Sequence, residues 1–178
     1  ISFITFFTII HQAPKETIGE YHFVISVISL ISITSLPGIR NALMQSFARK
    51  NYNFFRIATR TCTLGAAIGS LILLSLAAYY YARGEIFMAI SFTIASALNP
   101  LSQGLLTWKS SYSGQENFRK ITIVDAVGTL ASSAFMMISV FFYTNSHLIL
   151  VLIALAIPAA QNLLLCSIEY RKHASENG

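Results

Sequence analysis

The sequence predicts an all-α fold: a polytopic transmembrane helix bundle with five full helices and a partial first helix. Three observations carry this prediction. The chain is 54% hydrophobic and 11% charged, with a mean hydropathy of +0.62, whereas soluble domains carry about 25% charged residues. Five apolar stretches are long enough to cross a bilayer, which takes about 20 residues. The connections between them are short, which favours antiparallel neighbours.

The apolar stretches set the predicted helix boundaries within a single transmembrane domain, residues 1–178. The chain does not begin with Met and opens inside an apolar run that is too short to span a membrane. We interpret residues 1–10 as the end of a helix whose beginning is missing, so the chain is expected to be a fragment. No basic flank or small-residue cleavage site favours a signal peptide. The five full helices are predicted at residues 20–48, 57–82, 86–108, 120–143 and 148–168.

The helix over residues 20–48 is predicted to be interrupted near its middle. Pro37 lacks a backbone N–H and clashes with the preceding turn, and Gly38 adds conformational freedom, so a bend is expected there. In lipid, such a bend requires neighbouring helices or a wet cavity to satisfy the freed backbone groups. Pro37 and Gly38 are therefore a candidate gating hinge, and a static packing kink fits the same pattern equally well.

Arg40 follows this interruption, at a depth where an isolated charge costs at least about 2.5 kcal/mol. A cation facing a polar cavity would attract a phosphate or another anionic group of a substrate. Alternatively, the long side chain snorkels towards the headgroups. At about 100° per residue, one half of this helix is polar and is expected to face away from lipid. That half contains Ser26, Ser29, Thr34, Pro37, Arg40, Asn41 and Gln45.

The helix over residues 86–108 carries a second polar face with a proline. Pro100 lies beside the amides Asn99 and Gln103, which favours another cavity-facing helix and a second candidate hinge. Interhelical hydrogen bonding is the alternative interpretation. The last helix repeats the pattern more weakly around Pro158, where Gln161 and Asn162 follow, so Pro158 is a further candidate hinge.

Asp125 lies in the first turns of the helix over residues 120–143. It is a candidate for coupling to a cation or a proton. The alternative is a structural role, in which it complements the helix N-terminus or pairs with Arg119 or Lys120. Gly65 and Gly69 form a GxxxG pair, which predicts a close-packing helix face.

The basic residues predict the orientation of the chain. One set of loops holds nine Lys and Arg residues and the other set holds two, so the first side is expected to be cytoplasmic, with the missing N-terminus and the C-terminal tail. Trp108, Tyr112 and Tyr170 are expected at that interface. The nine are Arg49, Lys50, Arg56, Arg60, Lys109, Arg119, Lys120, Arg171 and Lys172, and the two are Lys15 and Arg83.

Several function classes are disfavoured by the residues themselves. The net charge of +5 lies in membrane loops, so it does not indicate a nucleic-acid partner. No CxxC, HExxH or Cys/His cluster indicates a metal, and no cofactor is expected. No arrangement of nucleophile, base and acid emerges, which disfavours an enzyme. Cys62 and Cys166 are expected on the reducing side, without a disulfide.

Three stretches carry a resemblance to a known family. A motif of the form P-x-E-x-(F/Y)-G-x-Y is matched by Pro14, Glu16, Gly19 and Tyr21, with Ile18 in place of the aromatic residue. The segment SLPGIRNALMQSFARK is similar to SLPG-x-x-x-ALVQS-x-ARG, with Lys50 in place of a glycine. The loop SSYSGQENFRK is similar through Gly114, Phe118 and Lys120. Together they resemble the N-terminal half of an oligosaccharide flippase of the multidrug/oligosaccharidyl-lipid/polysaccharide exporter superfamily.

The resemblance implies one lobe of a two-lobed transporter in the inner (plasma) membrane. Its central cavity would accept a lipid-linked oligosaccharide, carried on a polyprenyl diphosphate, and release it outside by alternating access. Arg40 would meet the diphosphate, and Asn41, Gln45, Asn99 and Gln103 would offer hydrogen bonds to sugars. Expected partners are membrane lipids, a second lobe in the full-length chain or a dimer, and glycan polymerisation and assembly proteins.

Three other readings remain open. A multidrug-type small-molecule extruder of the same superfamily would export a cationic drug, against which Arg40 in the cavity argues. A non-transporting membrane scaffold of glycan assembly would use the polar faces as helix contacts. A membrane glycan transferase would need loop carboxylates and usually a metal.

Overall fold

The computed structural model describes residues 15–142 and 147–175, and these ranges contain helices and no strand. A 3-10 turn, Ser32–Ser35, connects the first two helices, and a π-helical turn, Pro100–Gly104, follows the fourth. The helices are α1 (Lys15–Ile31), α2 (Pro37–Ala48), α3 (Phe54–Ala82), α4 (Ile86–Asn99), α5 (Thr107–Gly114), α6 (Phe118–Phe142) and α7 (His147–Ser175).

The described residues form five helical units that are long and apolar enough to cross a membrane. The units are α1 with the 3-10 turn, α3, α4 with its π turn and α5, α6, and α7. The predicted all-α, multi-pass membrane architecture is therefore confirmed. The partial helix predicted at residues 1–10 lies outside the described residues.

The observed helices extend beyond the predicted boundaries. The unit predicted to end at residue 108 continues through the π turn and α5 to Gly114, and the last helix continues to Ser175. Hydropathy identifies only the part of a helix that lies in hydrocarbon, so it does not detect the polar ends of a helix.

The helix α5 packs closely against α2. A Cβ on Gly114 would clash with the backbone carbonyl of Met44.

The predicted bend near Pro37 is a complete interruption of the helix, and it lies just before the proline. The α-helix tightens into the 3-10 turn at Ser32–Ser35, and Leu36 then adopts a left-handed conformation with φ 58°. Pro37 is then the first residue of α2. A helix start tolerates proline, whose N–H would have no partner there. The distortion therefore falls on the turn that precedes Pro37.

Two apolar clusters hold the bundle together, one towards each end. The first joins α1, the C-terminal half of α3, α4 and the start of α7, and the second joins α2, the start of α3 and the end of α7. We call the end with the second cluster the basic end, because Arg49, Lys50 and Arg56 lie there. The first cluster contains Val24, Ile28, Ile31, Leu73, Ala77, Phe92, Ala95, Val151 and Leu155, and the second contains Leu43, Phe47, Phe55, Ala58 and Cys166.

The GxxxG face of α3 lies between these clusters and packs against the interruption. A Cβ on Gly65 would clash with the carbonyl oxygen of Thr34, and one on Gly69 would lie 2.9 Å from a methyl group of Ile31. The prediction that Gly65 and Gly69 form a close-packing face is confirmed. The interrupted segment is thus held in close contact with α3, for which only glycine leaves room.

Candidate functional site

The interrupted segment satisfies much of its freed backbone with its own hydroxyl groups. Ser32 Oγ donates to the carbonyl of Ser29 at 2.6 Å, Thr34 Oγ1 to Ile31 at 2.8 Å and Ser35 Oγ to Ser32 at 2.7 Å. Short hydroxyl side chains bond to nearby backbone carbonyls and so support non-helical conformations. This explains how the sequence maintains a 3-10 turn and a break in the helix within an apolar span, where water is scarce.

Arg40 points back towards the interruption. Its Nη2 atom donates to Ser35 Oγ at 3.4 Å, and Ser35 is completely buried. Arg40 is half-buried and shares the packed side of α2 with Phe47. The structure therefore places a cation beside the interruption.

Asn41 and Gln45 lie on the other, exposed side of α2. Successive helical residues point about 100° apart. The packing of neighbouring helices against α2 therefore buries one part of the half that was predicted to be polar and leaves the other part exposed. Gln45 lines an open cleft of about 470 Å³ at the basic end. The structure thus separates Asn41 and Gln45 from Arg40, which faces the bundle.

Asn99 is almost completely buried, with 2% of its surface exposed. Its amide Nδ2 donates to the carbonyl oxygen of Ala66 at 2.8 Å and lies 3.5 Å from Ser70 Oγ. The same amide lies beside Gly69, which also contacts the Thr34 hydroxyl. Asn99 therefore links α4 to α3 at the level of the interruption. This contact corresponds to interhelical hydrogen bonding, the alternative interpretation of the polar face of α4.

The three other candidate hinges differ in their surroundings. Pro100 begins the π-helical turn, in which Gln103 is half-buried. Pro158 lies inside α7, which continues through it as one helix. A Cβ on Gly38 would have no atom within 4 Å, so this conformation does not require glycine there. A gating role for these residues remains a prediction.

A buried chain of hydrogen bonds next to the π turn was not predicted from the sequence. The Nε1 atom of Trp108 donates to Asn162 Oδ1 at 2.9 Å, and Asn162 Nδ2 donates to the carbonyl of Ser102 at 2.7 Å. The π turn frees this carbonyl from the regular helical pattern. The expectation that Trp108 and Tyr112 line the interface is wrong, because both are buried in the bundle. Their hydrogen-bonding groups find partners inside the protein.

Glu169 is a buried acid that sequence reasoning missed. It is 1% exposed, and its carboxylate accepts a hydrogen bond from the Tyr112 hydroxyl. Nearby, the hydroxyls of Thr59 and Thr107 are 2.9 Å apart, and Thr107 Oγ1 lies 3.9 Å from Cys166 Sγ. The position of Glu169 next to a basic tail gave no signal of burial, since charged residues there are usually exposed.

Asp125 forms an ion pair with Lys109, not with Arg119 or Lys120 as the structural alternative proposed. The Nζ of Lys109 lies 2.8 Å from Asp125 Oδ2, and both side chains are partly exposed. Arg119 and Lys120 precede Asp125 by six and five residues, which places them about 120° and 140° around the helix from it. Lys109 reaches Asp125 from the neighbouring helix α5.

No family model matches the chain, and neither a curated protein nor a solved structure matches it. Within the described ranges, no three His, Cys, Asp or Glu side chains are grouped so that they could hold a metal ion. Cys62 and Cys166 are both buried and free.

Proposed function

We propose that this chain is one lobe of a flippase that moves a lipid-linked oligosaccharide, on a polyprenyl diphosphate, across the inner membrane by alternating access. The observation that carries the proposal is the interrupted α1–α2 unit with Arg40 beside the interruption. Transporters commonly bind substrates at discontinuous helices near the bilayer midplane. A guanidinium group matches a phosphate in charge and geometry. The resemblance of the SLPGIRNALMQSFARK segment to this family supports the same function.

The roles of the other polar residues follow from their positions. Asn41 and Gln45 form an exposed polar side of α2 that a sugar can reach, and Gln103 lies on the π turn. Asn99 becomes available only if α4 and α3 separate, because its amide is bonded to Ala66. In this proposal, the second lobe completes the cavity, and the basic end faces the cytoplasm.

Arg40→Ala is expected to lower the transport rate of the full-length protein at least about tenfold, because a charge-assisted hydrogen bond contributes about 1.5–3 kcal/mol. The measurement is flipping of a fluorescent polyprenyl-diphosphate oligosaccharide in proteoliposomes. The matched control is Arg119→Ala, which removes an exposed arginine of α6 and is expected to leave transport unchanged. Wild-type transport by Arg40→Ala would reject the substrate role of Arg40.

A non-transporting membrane scaffold is the second candidate, and the buried bond between Asn99 and Ala66 favours it, since it indicates dry helix packing. Reaction of single cysteines with a water-soluble maleimide separates the two functions. Both predict labelling at the exposed Asn41 position. A transporter predicts that Asn99→Cys, protected at rest, gains reactivity during turnover as the helices separate. Protection of Asn99→Cys under all conditions would favour the scaffold.

A further inference from the structure

The turn between α2 and α3 forms an open cleft at the basic end. Its volume is about 470 Å³, which exceeds that of a phosphate group several-fold. The lining combines polar side chains with one aromatic ring. The lining residues are Ala42, Gln45, Ser46, Arg49, Asn51 and Phe54.

Hydrogen bonds and ring packing hold the turn that forms the cleft in place. Ser46 Oγ donates to the carbonyl of Asn51 at 2.7 Å, and the Asn51 N–H donates to the carbonyl of Ser46 at 3.0 Å. Lys50 closes the turn with φ 59°, a left-handed conformation that costs a non-glycine residue about 1–2 kcal/mol. Behind the turn, Phe47 packs edge-on against Phe55, with ring centroids 6.1 Å apart. The backbone of the turn is therefore held in one conformation.

The surroundings of the cleft are strongly positive. No aspartate or glutamate occurs between Glu20 and Glu85. Among the side chains that the structure describes, Lys109 pairs with Asp125, and no ion pair involves Arg49, Lys50 or Arg56. The N-terminus of α3 also opens here, and no side chain caps it. The dipole of α3 adds a partial positive charge at this end.

The cleft continues into a surface suited to an acyl chain. Phe54, which lines the cleft, is the first residue of α3, a helix that is long and apolar enough to span a membrane, so the cleft lies at one end of this span. On the Phe54 side of α3, exposed apolar residues run along the helix from the cleft. They are Ile57, Leu64, Ile68 and Leu71, all more than half exposed.

We propose that this cleft is a binding site for the phosphate group of an anionic membrane phospholipid. Arg49 bonds the phosphate oxygens, the amides of Gln45 and Asn51 donate to the remaining oxygens, and the acyl chain lies along α3. A zwitterionic headgroup is disfavoured, because its own cation would meet unpaired Arg49 and Lys50. The proposal goes beyond the transport function and does not depend on it, since a resident lipid needs no transport cycle.

The test is native mass spectrometry of the full-length protein released from nanodiscs of phosphatidylglycerol and phosphatidylcholine in equal amounts. The wild type is expected to retain phosphatidylglycerol preferentially. Arg49→Gln is expected to lower the ratio of the two retained lipids about tenfold or more, the factor that corresponds to the loss of about 1.5 kcal/mol from one charge-assisted hydrogen bond. Gln45→Leu, which keeps the charge, is expected to lower it less.

Arg119→Gln is the matched control, because it removes the same charge from the exposed face of α6 and is expected to leave the ratio unchanged. An equal fall in both variants would mean general electrostatic attraction and overturn the site. An unchanged ratio in Arg49→Gln would also overturn it. A final arm adds inorganic phosphate, and displacement of phosphatidylglycerol by phosphate at similar concentrations would overturn the assignment to a lipid. None of these outcomes involves Arg40 or transport.

Discussion

Replacing Trp108 by alanine is expected to lower the free energy of unfolding by about 3–5 kcal/mol, the usual cost of deleting a buried tryptophan side chain. Trp108 has no exposed surface, and its N–H is bonded to Asn162. The truncation leaves a cavity and an unpaired buried amide oxygen. In membranes, packing and hydrogen bonds hold helices together more than hydrophobic burial does. Both losses should therefore lower the free energy of unfolding. Reversible unfolding in mixed detergent micelles measures the change.

Two further variants separate these contributions. Trp108→Phe keeps most of the ring and removes the N–H, so it is expected to cost about 1–3 kcal/mol, the penalty for an unsatisfied buried group. Phe135→Ala on α6 is the matched control, since Phe135 is more than half exposed and its truncation leaves no internal cavity. If Trp108→Ala were as stable as Phe135→Ala, the chain from Trp108 through Asn162 to Ser102 would not be a structural element.

Gly65→Ala is expected to destabilise the protein by about 1–3 kcal/mol, as overpacking of a well-packed core does. The added Cβ would overlap the carbonyl oxygen of Thr34, which is backbone and cannot rotate away. Either α3 or the interrupted segment must then move. Thermal unfolding in micelles measures the cost. Transport of the lipid-linked oligosaccharide should fall as well if the interruption forms the proposed substrate site.

Gly38→Ala makes the same chemical change at a matched control position. An alanine Cβ at position 38 has no atom within 4 Å, and alanine favours a helix over glycine by about 1 kcal/mol. Stability is therefore expected to stay the same or rise. Equal stability of Gly65→Ala and Gly38→Ala would contradict the close packing against Thr34. A stable Gly38→Ala protein with impaired transport would support a gating role for Gly38.

The interrupted helix shows which features of the structure can be predicted from the sequence and which cannot. Pro37 and Gly38 predict an interruption because proline affects its own turn and the one before it, a local effect. The direction in which Arg40 points is not determined by local sequence. Arg40 faces the bundle because α2 packs through Leu43 and Phe47, and only the arrangement of α2, α3 and α5 selects that side.

Asn99 and Asp125 show the same limit. A polar residue at a given depth fits a cavity or a helix contact, and the sequence left both open. The contact forms where Gly69 leaves room for the Asn99 amide beside α3, which places the Ala66 carbonyl within reach of Asn99. Likewise, Asp125 meets Lys109 because α5 continues past the predicted end of its span.

The sequence by itself determined the all-α class, the five spans and the place of the interruption, because hydropathy, segment length and proline geometry act within a single helix. The tertiary structure decided which polar residues are buried together. It paired Trp108 with Asn162 and Tyr112 with Glu169, and left the cleft around Arg49 open. These outcomes depend on how closely distant helices approach each other, and that distance is set by small residues and by the 3-10 and π turns.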